Sequence, residues 1–295
     1  MVLLLSLQLL ELDPLFAETG RMMERNGLSV FFEEPLHGLA ESAAEMYPVV
    51  LEEVEGKLGL SVPLAPTLVL VRDRGMFRQM VGDRPIVAFA LPQRDLVVVD
   101  CTRVGKDPFA LEETLKHELC HLMLHHYVAG REIPKWLDEG LAQWVSGGLG
   151  EVLRNQKRSL LQEAIMADRV LGIRALAGRF PRSRDPLLLA YEESEDFVAY
   201  MIRHYGTEGV LNVLDRLKEG EEWTLAVEKG IGISMDALED GWHRQLQKRR
   251  SWFMFLSNHL YEILFFVAAL GSAYGFFRAY RRKRAYLREM EDDAP

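Results

Sequence analysis

The chain has 295 residues, 48% of them hydrophobic and 27% charged, with a formal net charge of -9 and two cysteines. That length allows one large or two modest domains with ample core. The composition is that of a globular chain and excludes a fibrous, disordered or disulfide-stapled one. The acidic balance argues against nucleic acid as a partner, and no zinc-finger spacing, phosphate-binding loop, dinucleotide fingerprint or internal repeat is found.

At the N-terminus, Val2 to Leu10 is an apolar run too short to cross a bilayer. Residues 1–20 resemble a signal peptide with cleavage after Ala17, although the basic n-region is missing. Leu28 to Phe32 reads as a strand, followed by a helical run to about Leu58 interrupted or kinked at Pro48. Thr67 to Val71 reads as a second strand. Ile86 to Ala90 and Leu96 to Val99, joined through Pro92-Gln93-Arg94, read as a hairpin. From Asp107 onward the chain reads as helical, Asp107 being placed as an N-cap with Pro108 at the first helical position. Strands first and helices after predict an α+β domain with a small, mostly antiparallel sheet packed beside one long helix and a helical C-terminal half.

The long helix carries His117-Glu118-Leu119-Cys120-His121. Leu111, Leu115, Leu119 and Leu122 form an apolar stripe at helical spacing, with the two histidines about a quarter-turn away. Histidines at i and i+4 share one face, so both imidazoles can reach one tetrahedral zinc. Glu118 between them is placed to take a proton from an activated water. A third ligand is needed. Leu124 and Tyr127 stand where a metzincin has its glycine and last histidine. Cys101 lies in a segment unlike the glycine-cysteine ligand segment of a peptide deformylase. Glu139, on a second helix beginning near Pro134, remains, and Asp138 beside it is about 100° away on that helix. His125 and His126 read as surface or supporting residues. The charges of Lys106, Asp107, Glu112, Glu113 and Lys116 keep this helix out of a membrane.

His117 to His121, followed by Pro134-Lys135-Trp136-Leu137-Asp138-Glu139-Gly140-Leu141-Ala142, resembles the gluzincin metallopeptidases and, more narrowly, the bacterial peptidase MA-like family. Ala190 to Ser194, Phe197 to Tyr200, Gly230 to Ser234 and Trp242 add weaker likenesses, so that the resemblance covers residues 28–247. It implies one zinc ion held by His117, His121 and Glu139, with Glu118 as general base and then general acid in peptide-bond hydrolysis. It also implies a tyrosine donor to the developing oxyanion, with Tyr191 as the candidate and Tyr200 as its rival. The sheet edge next to such a site binds extended substrate, which points to Ile86 to Ala90. One departure from the family pattern is Gln143, where an acid four residues beyond the third ligand usually orients a zinc histidine. The expected partners are therefore a peptide or protein substrate and a membrane. The expectation from a different class is a catalytically silent binding or assembly module with the same fold.

Residues 252–277 are apolar enough for a transmembrane helix. Arg278, Arg281, Arg282, Lys283, Arg284 and Arg288 follow it, and the shorter run Lys248-Arg249-Arg250 precedes it. The heavier basic flank predicts a single-pass protein whose tail, residues 278–295, is cytoplasmic and whose catalytic domain is extracytoplasmic.

Overall fold

The computed structural model describes residues 20–82, 86–104, 108–147 and 159–292. The expected leader and the Asp107 cap lie outside them. The chain divides into two compact units, residues 1–242 and 243–295.

The first unit begins with a hairpin, β1 (Gly20–Arg25) and β2 (Leu28–Glu33). Its two-residue turn is Asn26-Gly27, both at positive φ (54° and 84°), the pairing that suits the twist of a tight hairpin. β1 is polar and partly exposed and carries no apolar alternation, so it is absent from the sequence-based expectation. Helix α1 (His37–Leu58) follows and runs through Pro48. It buries Ala40, Ala43, Ala44, Tyr47, Val50, Val54 and Leu58, the i, i+3, i+4, i+7 stripe of a helix lying on a core. Next come β3 (Thr67–Val71), α2 (Arg74–Val81), β4 (Ala88–Leu91), β5 (Leu96–Asp100) and the short turn α3 (Cys101–Val104). The side chain of Asp73 caps α2, accepting hydrogen bonds from the backbone N–H groups of Gly75 and Met76.

The strand order is β1-β2-β3-β5-β4. β1 with β2 and β4 with β5 are antiparallel, whereas β2 with β3 and β3 with β5 are parallel. The sheet is therefore mixed, which corrects the expectation of a mostly antiparallel one. The reason is connectivity: α1 links β2 to β3, and α2 with β4 intervenes between β3 and β5, so these strands are joined by crossovers. β3 and β5 are buried along their whole length because both faces are covered. On one face Phe77 of α2 joins Phe31, Val69, Val71, Leu96 and Val98 in a single cluster. Among the described strands, β1 and β4 stand at the two edges.

The remainder is helical, as expected: α4 (Pro108–Tyr127), α5 (Lys135–Ser146), α6 (Leu160–Ala167) and α7 (Arg184–Lys218), then α8 (Trp223–Ile231) and α9 (Met235–Asn258). α7 is broken at Gly206, whose φ of 72° and ψ of 171° are not helical. α5 packs between α4 and α7. The approach to α7 is close enough that a Cβ on Gly140 would lie 2.5 Å from the Ser194 carbonyl oxygen. Trp136, Phe197 and Trp242 stack edge to face at centroid distances of 5.0 and 5.3 Å, and Trp242 Nε1 donates to Asp196.

The second unit contains the end of α9 and helix α10 (Leu260–Asp292). Within α10, Leu260–Arg282 is long and apolar enough to cross a membrane. Leu264, Phe265, Phe266, Val267, Leu270, Phe276 and Phe277 are all exposed along it. The helix break between Asn258 and Leu260 places this stretch later than the apolar run 252–277 read from composition.

Candidate active site

The second half of α4 is buried nearly all round: Leu119, Cys120, Leu122, Met123 and Leu124 are at most 1% exposed. His117 and Glu118 share that burial, and β4 and α5 pack against this helix. Proline at 134 stops the preceding segment, and α5 starts at once with Lys135, so Glu139 lies one turn in, opposite the two histidines.

Three ligand atoms converge there. His117 Nε2 and His121 Nε2 are 3.1 Å apart, and Glu139 Oε2 lies 3.6 Å from the first and 3.5 Å from the second. A circle through these atoms has a radius of about 2.0 Å, close to a zinc–nitrogen or zinc–oxygen bond length. The group can hold one metal ion, and two imidazoles with one carboxylate are a donor set that suits zinc.

Neighbouring groups orient two of the three donors, His121 and Glu139. His121 Nδ1 lies 2.8 Å from Asp138 Oδ1, and a carboxylate only accepts, so Nδ1 carries a proton and Nε2 is the nitrogen turned toward His117 and Glu139. Asp138 Oδ2 also faces His125 Nε2 at 3.5 Å. Lys135 Nζ donates to Glu139 Oε1 at 2.6 Å, which leaves Oε2 turned toward the imidazoles. Burial alone would depress the His121 pKa, but the charges of Asp138 and Glu139 outweigh it and hold it well above the ordinary value. Burial likewise opposes ionisation of the two acids. The His121 charge and hydrogen bond nevertheless keep Asp138 low, and Lys135, then His121, keep Glu139 well below the carboxylate range. Carboxylates held ionised in a buried pocket favour a cation.

Asp138, set aside as a ligand because of its angle, is thus the group that orients His121. Lys135 was missed altogether, although its i, i+4 spacing to Glu139 was a readable signal. His126 pairs with Asp95 away from the site. Gln143 is buried one turn beyond Glu139. Cys101 and Cys120 are both buried and free, so the two do not pair.

The site opens into a cleft of about 580 Å³ lined by Glu118, His121 and Glu139 on one side and by Ala88, Phe89 and Ala90 of the edge strand on another. Tyr191 lines the same cleft, with its ring packed edge to face on Phe180 at 5.3 Å. Tyr200 is buried against His204 and is not among the lining residues. Leu187, Phe180 and Ile86 pack with Tyr191 in an apolar patch of the cleft lining.

No curated protein matches the chain. The sequence pattern of the peptidase MA superfamily matches residues 97–248, from β5 into α9, which includes His117, Glu118, His121, Glu139 and Tyr191 but not the edge strand β4. The chain therefore belongs to the peptidase MA superfamily and has a peptidase-like fold.

Proposed function

We propose that this protein is a membrane-tethered, zinc-dependent metallopeptidase, with His117, His121 and Glu139 as zinc ligands and Glu118 as the catalytic base. The observation that carries this reading is the triangle of ligand atoms, whose spacing matches one zinc ion while a fourth, open side faces the cleft. Bound there, zinc supplies Lewis acidity, which acidifies water and polarises a carbonyl. The chain's own residues do the rest. Glu118, lining the cleft beside the ligands, accepts the proton of the attacking water on its carboxylate and delivers it to the leaving amine nitrogen. Asp138 keeps the His121 proton on Nδ1. The free edge of β4 offers backbone groups to an extended peptide, holding it across the cleft. Tyr191 donates its hydroxyl proton in a hydrogen bond to the oxygen of the reacting carbonyl.

Leu260–Arg282 serves as the anchor, and the arginines and lysine at its end hold the tail on the cytoplasmic side. The test is Glu118→Gln in the full chain purified in detergent. Zinc content should be unchanged, and hydrolysis of a mixed peptide library should fall at least about a hundredfold. Full activity of that variant would overturn the mechanism. An inactive wild type that holds zinc would favour the silent module instead.

A further inference from the structure

The cleft contains more charge than the chemistry uses, and the surplus is positive. Among its described lining residues, Glu118 is the proposed base, Asp138 serves His121 and His125, and Glu139 faces the imidazoles and Lys135. Lys135 is itself committed to Glu139, with its ammonium also 5.3 Å from the centre of the Phe180 ring. Arg179 and Arg182 remain. Both are exposed and line the cleft, and neither has an ion-pair or hydrogen-bond partner among the described residues. In a chain of net charge -9, two uncommitted guanidinium groups at the mouth of the cleft run against the general balance.

They stand on a fixed segment. The Ile173 N–H is held by Glu239, the Ala177 carbonyl accepts from the Lys135 N–H, and Phe180 packs between Lys135 and Tyr191. Guanidinium groups offer planar paired donors that match a carboxylate, and a cleft focuses their field on an approaching anion. We propose that Arg179 and Arg182 form a carboxylate-recognising rim, so that preferred substrates carry an acidic side chain or a free C-terminal carboxylate beside the apolar patch of Phe180 and Leu187. This inference rests on the peptidase reading of the site.

The experiment measures binding to the zinc-loaded full chain carrying Glu118→Gln, in detergent at low salt, by fluorescence anisotropy. Three labelled peptides share one backbone: one with an internal glutamate and blocked ends, one with glutamine and a free C-terminus, and one with glutamine and blocked ends. One of the first two should bind about tenfold tighter than the third, and which one does so identifies the source of the carboxylate. The preference should shrink in about 0.5 M salt and vanish in Arg179→Ala/Arg182→Ala. With Arg182→Glu it should turn toward a peptide with lysine in place of glutamate. Equal binding of the three, binding of none, or a preference that survives the double substitution overturns the proposal. Cleavage by the wild type is scored separately on the same peptides. Discrimination in binding without cleavage refutes the peptidase reading and spares the rim, and cleavage without discrimination does the reverse.

Discussion

Asp138 Oδ1 stands 2.8 Å from Nδ1 of His121, the ring whose other nitrogen faces His117 and Glu139. An ionised partner at Nδ1 raises the basicity of Nε2 and locks the ring plane. Asp138→Asn retains an acceptor but removes the charge, and should weaken zinc binding about tenfold. Asp138→Ala removes both and should approach a hundredfold. Competition against a chromophoric chelator measures this. Wild-type affinity in Asp138→Ala would show that the contact does not tune the site.

Glu139→Ala should lose most of the zinc while the protein stays folded, because two histidines alone leave the ion under-coordinated. The substitution also removes the carboxylate that Lys135 Nζ pairs with at 2.6 Å, so the lining of the cleft becomes more positive and less favourable to a cation. Metal analysis after dialysis, with circular dichroism as the check on folding, reads the result. Equal zinc content in variant and wild type would remove Glu139 from the ligand set.

The contact between α5 and α7 can be probed without touching a ligand. A Cβ on Gly140 would fall 2.5 Å from the Ser194 carbonyl oxygen and 2.6 Å from Val198 Cγ2, so Gly140→Ala must push the helices apart. Overpacking of this kind costs about 1–3 kcal/mol, more than the helix propensity gained. The melting temperature should drop by roughly 4–8 °C for a loss near 2 kcal/mol. Gly56 in α1 is the control: nothing lies within 4 Å of its added Cβ, and Gly56→Ala should raise stability slightly. Equal effects of the two substitutions would refute the close approach.

The cluster of His117, His121 and Glu139 was legible because each member sits in a local pattern: one turn of helix brings the two histidines together, and the Pro134 start sets Glu139 one turn into α5. What lay between the patterns was not. Asp138 is adjacent to Glu139 in sequence, and only the angle at which α5 crosses α4 tells which acid meets Nε2 and which meets Nδ1. The sheet order depended on which strands pair across crossovers, and strand composition is silent on that. The missed strand β1 is a different case. Its residues lack an apolar alternation, yet the Asn26-Gly27 pair before Leu28 was a hairpin signal in plain view. Arg179 and Arg182 could not be singled out from the sequence, because only the fold brings them to the cleft lined by β4 and His121.

Glu193 gives a pH-dependence with a definite sign. Burial first, with the charges of Glu192 and Asp196 adding to it, pushes its carboxyl from 4.5 up to about 8, against the opposing hydrogen bond from the Leu171 N–H. Between these values the folded state keeps a proton that the unfolded chain has lost, so this group's contribution to stability falls as pH rises from about 4.5 through 8. Glu193→Gln never acquires the charge. Melting temperatures at pH 5 and pH 8 should therefore lie closer together in Glu193→Gln than in the wild type, with the variant favoured at the higher pH. An identical pH slope in both proteins would exclude the buried acid as the source.

The proposed orientation in the membrane rests on the basic residues at the two ends of the apolar stretch Leu260–Arg282. Arg278, Arg281, Arg282, Lys283, Arg284 and Arg288 crowd its C-terminal end, against Lys248, Arg249 and Arg250 ahead of it. Basic segments resist translocation, so the heavier flank should stay in the cytoplasm and the catalytic unit should face outward. The opposite insertion would carry six basic side chains across the bilayer. Both native cysteines are buried, which keeps the labelling background low. A cysteine introduced beside Pro295 should resist an impermeant thiol reagent in intact cells and react once the membrane is permeabilised. One introduced at Gly147 should react in intact cells. The reverse pattern would place the peptidase in the cytosol, where its substrates would have to be sought.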